Sequence, residues 1–361
     1  MKTLWLVALL LLFGQSAHAD TPPHYRMTVL PLSFLDEGTD DGYERTSINA
    51  QGQVTGMAAV RADNQSDKRA AFWQRGRLRF LDKAPVKGSD DGTNRDSSCA
   101  TALNAHGDAI GQEVFAFSGA YSFCESTACG KVHGKWIGLA PFPVGSDSQA
   151  LGVNAQGDIV GDFGAFYDSH FESLQDPPTP ASKFARFAFL WQRGRVKKLW
   201  AGLARGINNK GEIIGTGRDG GLLWRNGKIT LLKMRPTAIN ERTEIAGNIS
   251  AGIEHRETAG RAYLWRRGTL TRLSAKISHA YALNNLGQVV GEIGDDSSQA
   301  VLWRRGRTYN LNRCVSLPKG WILEKALGIN GKGWIIGEGS VYKSPKDIYA
   351  ITSFTFLLTP R

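Results

Sequence analysis

Three groupings of side chains in this 361-residue sequence could do chemistry. The first is acidic: Asp36, Glu37, Asp40, Asp41 and Glu44, then Asp90, Asp91 and Asp96, then Asp147, then Asp295 and Asp296. The echoed stretches Gly38-Thr39-Asp40-Asp41-Gly42 and Gly88-Ser89-Asp90-Asp91-Gly92 make Asp40, Asp41, Asp90 and Asp91 calcium candidates, since a hard cation takes carboxylate and carbonyl oxygens. Their spacing is not that of an EF-hand loop, so solvated turns are the simpler expectation and no other cofactor is expected. Paired carboxylates could also cleave a glycosidic bond if held about 5 to 9.5 Å apart. The second grouping is aromatic: Phe115, Phe117, Tyr121 and Phe123, then Phe163, Phe166, Tyr167, His170 and Phe171. Such rings stack on sugars or anchor a protein partner when exposed, and pack long loops onto a rim when buried. The third is basic, eleven cations in five similar turns: Arg75, Arg77, Arg193, Arg195, Arg225, Lys228, Arg266, Arg267, Arg304, Arg305 and Arg307. A rim of that charge would attract anionic envelope polymers, phosphorylated headgroups or nucleic acid, the competing expectation being solvated hairpin tips.

Familiar catalytic signatures are missing. The sequence has no nucleophile elbow, phosphate loop or metal-binding histidine pair, and His24, His106, His133, His170, His255 and His279 are scattered. No catalytic residue and no metal site is therefore expected. With 42% hydrophobic and 21% charged residues the chain can bury a core and is not disordered. Lys plus Arg number 44 against 33 acids, a net charge of +11.

Residues 1–19 read as a secretory signal peptide: Lys2, an apolar run from Leu4 to Phe13, and Ala17-His18-Ala19 before Asp20. No later segment has about 18 consecutive apolar residues, so the expectation is an exported periplasmic or extracellular chain, a single domain over 20–361, without a transmembrane segment and monomeric. Cys99, Cys124, Cys129 and Cys314 would then sit where disulfides form, and Cys124 with Cys129 is the candidate pair.

The elements that must position these groups are repeats. Asn-x2-Gly-x3-Gly occurs at Asn49, Asn104, Asn154, Asn208, Asn284 and Asn330, and at Asn240 with Thr243 in place of the first glycine. Trp-x2-Gly-x4-Leu follows at Trp73, Trp191, Trp224, Trp265 and Trp303, with the frame kept at Lys131-Gly134-Leu139. A polar residue opening a type I turn, with glycine three positions on, makes a three-residue hairpin loop, so each pattern predicts one hairpin. Two hairpins per repeat of about 47 residues predict a seven-bladed β-propeller of four-stranded antiparallel blades, all-β. The last blade lacks a fourth strand, which the orphan strand from Tyr25 to Leu32 would supply.

These repeats resemble the HAF repeat family of exported bacterial proteins, with its Ile-Asn-x-x-Gly-x-Val-x-Gly and Ala-Phe-Leu-Trp-x-x-Gly segments. This chain departs at the family's histidine, having Arg69-Ala70-Ala71-Phe72, Phe187-Ala188-Phe189, Arg261-Ala262-Tyr263 and Gln299-Ala300-Val301. The resemblance implies export and repeat architecture and supplies no catalytic residues.

In a four-stranded meander the glycine turns share one face and the longer connections the other. Thirty residues separate Gly161 from Trp191 but nine separate Gly215 from Trp224, so insertions are expected in blades one to three. Long loops commonly carry function. The expected function is thus a non-catalytic binding or scaffold propeller that takes a protein or glycan partner on its long-loop face. The alternatives are a polysaccharide hydrolase or lyase with carboxylates at the channel mouth, and adhesion to anionic envelope polymers through the arginine rim; nucleic acid is the less expected partner.

Overall fold

The computed structural model describes residues 21–33, 46–61, 64–81, 94–117, 123–139, 142, 146–165, 186–250, 260–294, 297–342 and 351–361. Residues 1–19, where a signal peptide is expected, lie outside them. Among the described residues no helix is long and apolar enough to cross a membrane.

The chain is a β-propeller of small antiparallel sheets. Strand β1 (Tyr25–Leu30) comes first, then β2 (Val54–Arg61), β3 (Asn64–Gln74) and β4 (Arg77–Phe80) form a three-stranded sheet, with Ile48 joined to Val54 by a single bridge. The next sheet holds β5 (Asn94–Leu103), β6 (Ala109–Phe117), β7 (Phe123–Val132) and β8 (Lys135–Gly138). A seven-stranded sheet follows: β9 (Ser146–Val153), β10 (Ile159–Ala165), β11 (Phe187–Gln192), β12 (Arg195–Ile207), β13 (Ile213–Gly217), β14 (Gly220–Arg225) and β15 (Lys228–Leu232). Two four-stranded sheets come next, β16 (Arg235–Ile239) to β19 (Thr269–Arg272) through β17 (Ile245–Ser250) and β18 (Gly260–Arg266), then β20 (Ser278–Leu283) to β23 (Arg307–Asn310) through β21 (Val289–Ile293) and β22 (Gln299–Arg304). The last sheet contains β24 (Trp321–Ile329), β25 (Ile335–Tyr342) and β26 (Ile351–Pro360), with β1 on its outer edge from Tyr25 opposite Pro360 to Leu30 opposite Thr355.

The expected seven separate four-stranded blades are corrected: there are five sheets of four or more strands and one of three. The physical reason is β12, whose 13 residues run unbroken from one repeat into the next, pairing with β11 up to Ala201 and with β13 from Gly202.

The core lies between neighbouring sheets, so middle strands are covered on both faces and read as apolar runs instead of alternating ones, as in Ala300 to Trp303, all buried. Phe356 and Leu358 of β26, for example, pack with Val290 and Leu302 of the preceding sheet. The motif tryptophans join these layers, Trp73 and Trp303 being buried.

The seven motif asparagines make a closed circuit. Each side-chain Nδ2 donates to the backbone carbonyl of the next asparagine, 49 to 104, 154, 208, 240, 284, 330 and back to 49, at 2.9–3.4 Å. Each Oδ1 accepts the N–H groups two and four residues on, at Asn284 those of Leu286 and Gln288. The asparagines are 2–6% exposed, and six of them also donate to the side chain four residues on. These turns have the three-residue form expected, closed by the bond from Gly52 N–H to Asn49 O and its equivalents. Thr243 takes the glycine's place at φ 60°, a left-handed geometry costly for a β-branched residue, and its hydroxyl donates to Glu212 at 2.6 Å.

The Trp-x2-Gly turns differ from expectation: they are two-residue loops with both residues at positive φ, such as Arg75 at 49° and Gly76 at 80° between paired Gln74 and Arg77. This type I′ geometry matches the twist of the flanking strands.

The expected Cys124–Cys129 disulfide is also corrected. Both residues lie on β7, and five residues along a strand span about 17 Å, far beyond disulfide reach. Cys99, Cys129 and Cys314 are buried thiols, none in a disulfide.

Replacing Asn284 by Ala leaves the part-buried N–H groups of Leu286 and Gln288 without their acceptor and takes from the Asn330 carbonyl the donor that ties the two repeats, and a loss of about 2 kcal/mol is expected in chemical denaturation. Asn284→Asp, beside Gln288, is expected to melt higher than Asn208→Asp, which would set a carboxylate against Glu212; equal melting would contradict the circuit's role.

Candidate functional site

Each inner strand carries one extra residue before its asparagine turn. Register shifts of this kind leave out Thr101, Leu151, Arg205, Thr237, Tyr281 and Leu327, each three residues before its asparagine. A bulge re-aims a side chain, and these six, together with Thr46 at the equivalent place in the first repeat, line one central cavity of about 260 Å³. The second motif glycine makes the bulge fit: a Cβ on Gly161 would land on the Gln149 carbonyl oxygen, and one on Gly291 on that of His279.

The wall is hydroxyl-rich. Thr101 donates to the Ala150 carbonyl at 2.6 Å and Thr237 to that of Ala280 at 2.9 Å, stitching neighbouring repeats, while Ser47 and Tyr281 add two further hydroxyls. Arg205, 9% exposed, is the one charged side chain among the described residues of the lining. Sequence reasoning missed this site. The signal lay in the repeat register, where the third residue before asparagine varies as Thr, Thr, Leu, Arg, Thr, Tyr and Leu while its neighbours, after the first repeat, are Ala, Gly or Pro.

At the end of the channel away from the asparagine turns, the Tyr281 hydroxyl donates to Glu292 at 2.7 Å and His279 Nδ1 approaches the same oxygen at 3.1 Å. Burial alone would raise the Glu292 carboxyl, but hydrogen bonds from His279 and Tyr281 outweigh it and hold it below its ordinary value. The equivalent position three repeats earlier holds Asp162, fully buried and gripped by Arg186 Nε at 2.6 Å and Gln149 at 3.1 Å. These carboxylates are committed to neighbours.

The basic turns share a face with the asparagine turns, as expected, and direct bonds show it: Arg225 pairs with Glu212 at 2.7 Å and Arg266 with Glu244 at 2.8 Å. Arg304 is half-buried, stacks on Tyr309 and donates to the Thr21 carbonyl. Arg75, Arg77, Arg193, Arg195, Lys228, Arg267, Arg305 and Arg307 are exposed. Burial alone would raise Glu212, yet hydrogen bonds from Thr243 and Asn208 and the charges of Arg225 and Lys210 leave it below its ordinary 4.5. Glu244 is lowered likewise, burial being outweighed by bonds from Arg242 and Asn240 and by the Arg266 charge.

Of the expected partner-binding aromatics, Phe163 is 9% exposed and packs with Phe142, Phe187 and Phe189, so its ring serves the core. Phe115, Phe117 and Phe123 fall on β6 and β7, not on a loop, with Phe117 opposite Phe123. Tyr121, Phe166, Tyr167, His170 and Phe171 lie outside the described residues, as do the calcium candidates Asp40, Asp41, Asp90 and Asp91. Among the described residues no cluster of three metal-ligating side chains occurs.

No protein-family model matches the sequence, and no curated protein does. Among solved structures, Pyrococcus horikoshii acylaminoacyl peptidase is similar at TM-score 0.47 and 12% identity, covering 82% of this chain and 50% of that one. A puromycin-hydrolyzing peptidase from Mycobacterium tuberculosis is similar at TM-score 0.47 and 13% identity over 88% and 52%. A gluconolactonase from Xanthomonas campestris is similar at 0.35 and 14% over 94% and 95%. The chain thus spans about half the length of the two peptidases.

Glu212 and Glu244, with folded values below 4.5, contribute stability that is present above that value and lost as pH falls through the lower folded one. The melting temperature is expected to drop between about pH 5 and pH 3, and the double variant Glu212→Gln, Glu244→Gln to show a shallower drop. Identical acid limbs in thermal melts would sink this assignment.

Proposed function

We propose that this chain is an exported binding propeller of seven repeats, resembling HAF repeat proteins, that takes a protein or glycan partner on the face opposite the asparagine circuit. The seven-stranded sheet is then two blades sharing β12, and the three-stranded sheet a blade whose inner strand is reduced to Ile48. The observation carrying the reading is the asymmetry of the two faces. Among the described residues the asparagine face has two- and three-residue turns, seven of them tied to one another, whereas the strand ends that lead into longer connections lie opposite, among them Ala165 and Phe187, which are 21 residues of sequence apart. A stiff ring with variable loops on one side is how scaffolds present binding surfaces. Calcium at Asp40, Asp41, Asp90 and Asp91 would serve to order two of the loops.

A second reading, adhesion to anionic polymers, draws support from the turn geometry. Type I′ loops favour asparagine or glycine at the first position, yet Arg75, Arg193, Arg267 and Arg305 sit there at φ 47–50°. Charge is kept at a conformational cost, which points to use of the charge.

A variant shortened within residues 166–185 is expected to lose capture of the partner in an envelope pull-down and glycan array while melting like the parent; equal capture would refute the loop-face site. For the rim, Arg→Asn at positions 75, 193, 267 and 305 is expected to add about 0.5 kcal/mol of stability each and to weaken retention on a polyanion column. Retention that does not change with salt would count against this second reading.

A further inference from the structure

Strand β15 is one edge of the seven-stranded sheet. Its inner side pairs with β14, and among the described residues no strand pairs with its outer side. The two-residue turn at Asn226 and Gly227 makes Arg225 and Lys228 a hydrogen-bonded pair, so the bonded pairs alternate onward through Leu223 with Thr230 and Gly221 with Leu232. The N–H and C=O groups of Ile229 and Leu231 consequently turn outward to the open edge. Their side chains share one face of the sheet with Trp224 and Leu222, the residues opposite them, and are 50% and 61% exposed. An edge that is both unpaired and apolar is a template for another strand, and proteins usually blunt such an edge with charge. The third and fifth repeats do so, with Lys198 and Arg272 in the place of Leu231, four residues after the turn glycine, and the sixth has Asn310 there. In the first repeat Phe80 stands at that place, but Arg77 and Arg79 share its strand and Leu78 is half-buried.

The surroundings specify the charge of a matching strand. From Arg186 to Asn240 the sequence has twelve Lys and Arg against two acids, Glu212 and Asp219, and Glu212 is paired with Arg225. Lys228 opens β15 and Lys233 follows it, both exposed, and the Lys197 ammonium stands 5.7 Å from the centre of the Trp224 ring, one strand in from Ile229. A second copy of the chain would set this basic sector against itself, whereas an acidic strand complements it. We propose that β15 takes an extended acidic peptide as an added antiparallel strand, bonded through the main-chain groups of Ile229 and Leu231, with apolar side chains beside theirs and carboxylates near the flanking lysines. The site is the outermost strand of its repeat and not the loop face, so the variant shortened within residues 166–185 is expected to bind the peptide like the parent.

The test is fluorescence anisotropy of the purified chain with labelled Val-Glu-Val-Glu-Val-Glu and with its counterpart Val-Lys-Val-Lys-Val-Lys. The acidic peptide is expected to bind at least ~10-fold more tightly than the basic one. Residues opposite one another in a bonded antiparallel pair point to the same face, so the valines that sit beside Ile229 and Leu231 also make the main-chain bonds. N-methylation of the valines is therefore expected to abolish binding, and N-methylation of the glutamates to spare it. Leu231→Lys, which installs the residue type of Lys198, is expected to weaken binding at least ~10-fold while melting like the parent, and Ile229→Thr to weaken it less. Absence of binding at about 1 mM acidic peptide overturns the proposal. So does equal binding of the lysine peptide, equal binding of the two N-methylated forms, or a folded Leu231→Lys chain that binds like the parent. Self-association of the chain that Leu231→Lys removes would assign the edge to a second copy and overturn it as well.

Discussion

The asparagine side chain is the joint on which this ring depends. A primary amide carries two donors and an acceptor oxygen with two lone pairs, and at Asn284 each is committed: the oxygen to two N–H groups of its own turn, the nitrogen to Gln288 and to the carbonyl of Asn330. The same four atoms therefore shape a hairpin and fasten it to the next repeat. Aspartate lacks the donors, and serine has a shorter reach and one donor where the amide has two, so the residue type follows from the geometry. Because the circuit returns from Asn330 to Asn49, no repeat has a free flank on that face.

Much of this was legible in the sequence because the joint recurs with period and punctuation. The asparagine, the glycine three residues on and the preceding Ile, Leu or Val announce an inner hairpin, and the tryptophan and its glycine announce an outer one. The orphan strand from Tyr25 was readable for the same reason, since a ring with one strand too few must find it elsewhere. Three features were not readable. A bulge is a slip of a single residue within an apolar run, so no pattern of hydrophobicity marks Arg205 or Tyr281 as aimed into the channel. The unbroken passage of β12 between repeats depends on whether Ala201-Gly202 bends, which propensity does not decide. The Cys124–Cys129 pairing looked close in sequence, but a continuous strand keeps neighbours apart.

Charge is sorted by the same architecture. Glutamates four residues after Asn208 and Asn240 lie beneath the outer turns of their own repeats, so part of the basic rim is neutralised from within by Glu212 and Glu244. The remaining arginines stand at hairpin tips, where solvent screens them and their geometry is unfavourable for their type. On the opposite side, Asp162 and Glu292 are drawn inward by Arg186, His279 and Tyr281 and serve as internal struts. Among the described residues that line the channel between these two layers, Arg205 stands with the hydroxyls of Thr46, Ser47, Thr101, Thr237 and Tyr281.

The pairing of β1 with β26 sets Tyr25 opposite Pro360, positions separated by nearly the whole chain. Closing so long a loop carries a large entropic cost that local hairpins do not share, and contacts of this separation form late. A chain synthesised from its N-terminus must therefore keep β1 unpaired until β26 exists, leaving an open strand edge and the exposed flanks of the first and last sheets throughout that interval. The vulnerable species in the life of this protein is the nearly complete ring, and its protection is a matter of timing.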